Sequence, residues 1–108
     1  MALFGRKKRP GTMRKSSNAD TEHLQAFAMS RQGVEAFVEP RTAVTEATVV
    51  FVAADGEWTR RRIDGSDGAQ KLARKLSIPV YDAAVMGYPD RMREWSARQK
   101  NTGTGPGG

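Results

Sequence analysis

Val44-Thr-Glu-Ala-Thr-Val-Val-Phe-Val-Ala53, then Ala54-Asp-Gly56, then Glu57-Trp-Thr-Arg-Arg-Arg-Ile63, is the stretch that decides the fold. Its first part is rich in Val and Thr and is apolar on both faces, the pattern of a central strand covered on either side. Asp55-Gly56 can take the positive φ that tight hairpins need, so the chain is expected to turn there. Glu57 to Ile63 then returns as the partner strand. Successive side chains of a strand point to opposite faces, which sets Trp58, Arg60 and Arg62 on one side and Thr59, Arg61 and Ile63 on the other.

Working outward, Val34-Glu-Ala-Phe-Val-Glu39 alternates in period two and stops at Pro40, the pattern of a half-buried strand near a sheet edge. Before it, Asp20 or Thr21 can cap a helix in which Leu24, Phe27, Ala28 and Arg31 follow at helical spacing, with Gly33 as its stop. After the hairpin, Asp64-Gly-Ser66 breaks the strand and Ser66 or Asp67 caps a second helix. Ala69, Leu72, Ala73 and Leu76 keep the i, i+3, i+4, i+7 rule and should pack on Val49, Phe51 and Val85. Ser77 to Met86 reads as a fourth strand, with Pro79 at its start. Gly87-Tyr88 turns the chain into a last helix that opens at Pro89 and ends near Lys100.

The expected fold is α+β: a small four-stranded mixed sheet with helices on one face, in the order α-β-β-β-α-β-α. Strand three, helix two and strand four form a crossover, which makes strand four parallel to strand three. One domain over residues 20–100 suits a chain of 108 residues.

The strings Gly33-Val-Glu-Ala-Phe-Val-Glu-Pro-Arg-Thr42, Asp55-Gly-Glu-Trp-Thr-Arg-Arg-Arg62 and Ile78-Pro-Val-Tyr-Asp82 with Gly87-Tyr-Pro89 resemble a family of short, functionally uncharacterised actinobacterial proteins. The resemblance covers roughly residues 20–95. It implies a fold and a bacterial cytoplasmic setting, and some similar sequences carry a loose oxidoreductase label. It carries over no catalytic residue.

Composition excludes several classes. Without cysteine there is no disulfide, thiolate metal site or iron–sulfur cluster, and the single histidine, His23, excludes a His-rich metal site. The longest apolar run, Val49 to Ala54, is far short of the roughly 20 residues that cross a bilayer. Asp64-Gly-Ser-Asp-Gly68 follows a strand and opens a helix, as a dinucleotide loop would. Its glycine spacing is wrong, its acids repel a pyrophosphate, and the folded part is too short for such a domain. A Ser-His-Asp triad would have to use His23, which reads as a solvated residue in the first turn of a helix. No catalytic residue, metal site or cofactor is expected.

Charge is the most informative feature. The chain carries a formal +6, and residues 1–19 hold Arg6, Lys7, Lys8, Arg9, Arg14 and Lys15 with no acid. The remaining twelve basic and twelve acidic residues cancel. This basic leader lacks apolar periodicity and is expected to be disordered, as is the Gly-rich tail at 101–108. Only Ala2, Leu3 and Phe4 precede the Gly-Arg-Lys-Lys-Arg-Pro run, so the leader lacks the apolar region of a secretion signal, and a cytoplasmic location is expected.

Two basic surfaces are candidates for an acidic partner such as nucleic acid, the ribosome or an acidic protein. One is the leader. The other is the sheet face carrying Trp58, Arg60 and Arg62, where a ring beside guanidinium groups could stack on bases and hold phosphates. The competing expectation for that face is that Trp58 packs in an apolar patch while the arginines pair with Glu35, Glu39 or Glu46. In the last helix Met92 and Trp95 should dock on the body and leave the arginines solvated. The overall expectation is a non-catalytic binding or accessory protein. The alternative is a small enzyme, or an accessory subunit of one, with no recognisable active site.

Overall fold

In a computed structural model, which describes residues 17–102, the elements are α1 (Asn18–Ser30), β1 (Glu35–Glu39), β2 (Thr48–Val52), β3 (Trp58–Arg62), α2 (Gly65–Leu76), β4 (Val80–Asp82), α3 (Ala83–Met86) and α4 (Asp90–Thr102). The α+β class, the four-stranded mixed sheet and the order of the main elements agree with the sequence reading. Among the described residues the one added element is α3, a single short turn that replaces the second half of the expected fourth strand.

The strands lie in the order β3-β2-β1-β4. β2 pairs antiparallel with β3 and with β1, and β4 pairs parallel with β1, Phe37 lying opposite Tyr81. β4 therefore points the same way as β3, as a crossover requires, but it sits at the far edge. β1 is accordingly an interior strand, one in from the edge strand β4, and its three middle residues are buried rather than half-buried. Pro40 falls just past its last paired residue, so the missing N–H interrupts no ladder bond.

Because β2 is apolar on both faces, both need cover, and a second correction follows: the helices do not share one face. Val49 and Phe51 face α1 and α2, where they are buried with Leu24, Phe27, Ala69 and Leu72. Val50 and Val52 face the other way with Phe37 and are covered by Met92 of α4, together with Trp58, Tyr81 and Tyr88. Leaving that second apolar set in water would cost roughly 25 cal/mol per Å². Val85, expected against α2, is 79% exposed instead, because α3 carries it off the sheet.

Ser17 caps α1. Its Oγ accepts from the Asp20 N–H while the Asp20 carboxylate accepts from the Ser17 N–H, so Asp20 sits inside the helix as the second half of a capping box. Helix α1 thus begins within the stretch read as leader, and α4 runs into the stretch read as tail. The other expectations for the leader and tail, Arg6 to Lys15 included, lie outside the described residues.

At the hairpin turn Gly56 has φ +96°, and a Cβ built there would stand 2.0 Å from the carbonyl oxygen of Arg91. Only a glycine lets α4 approach the turn so closely.

Candidate functional site

β3 delivers its side chains to both faces as its alternation requires. Trp58 and Arg60 face α4, whereas Thr59 and Arg61 face α1.

On the α4 side the arginine is already engaged. Arg60 makes a fork to the Glu39 carboxylate, Nε to Oε1 at 2.8 Å and Nη2 to Oε2 at 3.0 Å. Thr48 Oγ1 donates to Glu39 Oε1 at 2.6 Å, and the Tyr88 hydroxyl donates to Oε2. Burial raises the Glu39 pKa, but the bonds from Arg60, Thr48 and Tyr88 outweigh it and hold the carboxyl below its ordinary value. The same cluster moves its partners. Tyr88 is raised by burial first and by the neighbouring carboxylate second, and Arg60 is raised chiefly by its bond to Glu39.

Trp58 is half-buried. Its indole N–H donates to Ser96 Oγ at 3.0 Å, and the Arg60 guanidinium carbon lies 5.3 Å from the ring centroid. Of the three sheet-face residues singled out in the sequence, two are therefore tied into the body. The third, Arg62, is exposed and joins no ion pair among the described residues. The expectation that arginines pair across the sheet holds for Arg60, and Glu39 is the partner it takes.

A cleft of about 580 Å³ opens beside this cluster, between the loop at Thr42 and Thr45 and the start of α3 at Ala83. Glu39 lines it, yet its lone pairs are taken up by four donors, so it is not free to act as a general base. The arrangement is a structural clasp.

Two residues escaped the sequence reading. His23 is not a solvated helix residue: it is half-buried, with Nε2 2.7 Å from Thr59 Oγ1. Burial and then the charges of Arg61 and Arg31 lower its pKa, against the opposing pull of Asp20. Arg91 is not solvated either. Its Nη2 donates to Glu35 Oε1 at 2.6 Å and its Nε to the Ala53 carbonyl at 2.9 Å, which seats α4 on the hairpin. Arg98 is exposed but donates to the Asp55 carbonyl at 2.9 Å. Met92 docks as expected and is buried.

Among the described residues no group of three or more His, Cys, Asp or Glu side chains is placed to hold a metal ion, and no helix is long and apolar enough to cross a membrane. No protein family, curated protein or solved structure matches the chain.

Proposed function

We propose that this chain is a non-catalytic cytoplasmic binding protein that contacts an acidic partner, nucleic acid first among them, through Arg6, Lys7, Lys8, Arg9, Arg14 and Lys15. One observation carries the reading: the folded part balances its own charge, and six of its twelve cations are held by its own acids. Arg31, Arg41, Arg60, Arg61, Arg91 and Arg93 each have a carboxylate partner, to Glu57, Glu46, Glu39, Asp20, Glu35 and Asp90. Residues 20–108 are neutral in sum, so the +6 sits in the first nineteen residues. Trp58 and Arg60, held by Ser96 and Glu39, support a structural role for that sheet face more than a stacking one.

A salt titration tests this. Displacing counterions from about six phosphates gives a log–log slope of roughly −4 on single strands and −5 on duplex DNA. Deleting residues 1–15 should bring the slope close to zero and leave the melting temperature unchanged. Trp58→Ala should leave the slope intact. If the full chain binds neither RNA nor DNA nor an acidic protein in a salt-sensitive way at about 50 mM salt, the reading is abandoned.

A further inference from the structure

The outer strand β3 offers a second surface, which is independent of the basic leader. Two bonds flank the β2–β3 ladder: Ala53 N–H to Glu57 carbonyl at 2.8 Å and Ile63 N–H to Ala47 carbonyl at 3.1 Å. Ladder bonds in an antiparallel pair recur every second residue, and the register sets Val49 opposite Arg61 and Phe51 opposite Thr59. Residues 57, 59, 61 and 63 therefore bond inward to β2. The N–H and C=O groups of Trp58, Arg60 and Arg62 point away from the sheet, and among the described residues none of them makes a hydrogen bond.

Each face of this open edge is flanked by a groove. One, of about 360 Å³, runs between β3 and α1 over Ala26 and Phe27; the other, of about 380 Å³, runs between β3 and α4 past Tyr88, Arg93 and Lys100. Trp58 lines both. An unpaired edge with a groove on either face is what a strand-adding peptide needs: main-chain bonds hold it, and its alternate side chains enter alternate grooves.

We propose that β3 accepts an extended acidic peptide segment of another protein as a fifth, antiparallel strand. Charge selects the occupant. Arg60 and Arg93 are already paired with Glu39 and Asp90, but Arg62, on the same side of β3 as Trp58, and Lys100 in the groove wall join no ion pair among the described residues, so the side chains that enter on the α4 side should be acidic. The α1 groove has Ala26 and Phe27 in its wall, and its polar groups are already bonded to one another or to the helix, His23 with Thr59, Arg31 with Glu57 and Ser30 to the Ala26 carbonyl, so the alternate side chains should be apolar. A second copy of this chain fits poorly, because antiparallel self-pairing about Arg60 would set Arg60 directly against Arg60, and pairing about Arg61 would set Arg60, Arg61 and Arg62 of each strand against the same three of the other. The basic leader, with six cations and no acid, has the wrong charge for this edge.

The probe is a capped heptapeptide of alternating valine and glutamate, added to the full-length protein. In an antiparallel fifth strand the residues facing α4 are those whose amides bond to β3. N-methylation of the glutamate amides should thus weaken binding by about tenfold or more, and N-methylation of the valine amides should leave it nearly unchanged. The two peptides carry the same charge, so any contact with the leader is equal for both. Amide exchange at Trp58, Arg60 and Arg62 should slow by about tenfold at saturation, and Arg62→Glu, an exposed change that breaks no ion pair, should weaken binding by a similar factor. Equal or reversed effects of the two methylations overturn the proposal. So does protection of those three amides in the protein alone, which would show the edge already closed by a second copy or by the chain itself.

Discussion

The Arg60 guanidinium reaches over β2 to grip both oxygens of the Glu39 carboxylate, joining two strands that are not neighbours in the sheet. Thr48, on the strand between, and Tyr88, just ahead of α4, bond the same carboxylate. One half-buried acid thus ties together β1, β2, β3 and the approach to the last helix.

That clasp has an acid signature. Glu39 is held below the ordinary value of about 4.5, so it binds fewer protons folded than unfolded near that pH. Its contribution to stability is intact above 4.5 and is lost as pH falls through the lower folded value. The urea midpoint should fall on acidification in that range, and Glu39→Gln should flatten this part of the curve. Arg60→Met, which leaves the carboxylate without its cation, should cost on the order of 1–3 kcal/mol at neutral pH. A pH profile of Glu39→Gln that overlays the parent's would contradict the assignment.

At the alkaline end the sign reverses. Tyr88 is raised above 10.0, so its stabilisation is present below that value and is lost as pH rises through the folded one. Tyr88→Phe removes the alkaline loss and also one donor to Glu39. Ultraviolet titration of the phenolates in Trp-matched samples should show one of the two tyrosines ionising late; two ordinary titrations would remove the basis for this expectation.

His23 titrates below 6.5 in the fold because protonation must compete with burial and two arginines. Stability should therefore decline as pH falls through 6.5, where the unfolded chain takes up the proton and the folded chain does not. The imidazole proton shift of this single histidine gives the midpoint directly. A midpoint at or above 6.5 would mean that His23 is not buried beside Arg61 and Arg31 in solution.

Leu72 is buried among Ala69, Phe51 and Val49, and Leu72→Ala should cost about 2–5 kcal/mol by lost transfer and a residual cavity. Chemical denaturation measures it, and an unchanged midpoint would place α2 differently from the structure.

Gly56→Ala and Gly65→Ala form a matched pair. Both glycines have positive φ, but a Cβ at Gly65 meets nothing within 4 Å, whereas one at Gly56 strikes the Arg91 carbonyl. Gly65→Ala should carry only the backbone penalty of about 1–2 kcal/mol. Gly56→Ala should cost more and should loosen α4, seen as altered emission of Trp58 and Trp95. Equal costs at the two sites would show that the close approach of α4 is not a constraint.

Local patterns account for what was legible beforehand. The heptad-like spacing of Ala69, Leu72, Ala73 and Leu76 identified α2, and Asp55-Gly56 between two strand patterns identified the hairpin. The apolar residues on both sides of β2 already implied two covered faces; placing all helices on one face missed that implication. Strand order was not legible, since nothing local to Val80, Tyr81 and Asp82 says that β1 is their partner. The candidate surfaces were half legible. The sequence offers Glu35, Glu39 and Glu46 to the β3 arginines, and only the register decides that Arg60 takes Glu39 while Arg91 takes Glu35. The contact between His23 and Thr59 joins residues 36 apart, beyond the reach of any periodicity.

The parallel pairing of β1 with β4 also sets the order of events on the ribosome. Ala36, Phe37 and Val38 wait for partners more than forty residues downstream, at Val80 to Asp82. A growing chain can close the β1–β2–β3 meander early, but β1 then presents one naked apolar edge, and Val50 and Val52 lack their cover until α4 emerges. The most adhesive form of this protein is thus an unfinished one, and its hazardous interval closes only when the last third of the chain has been made.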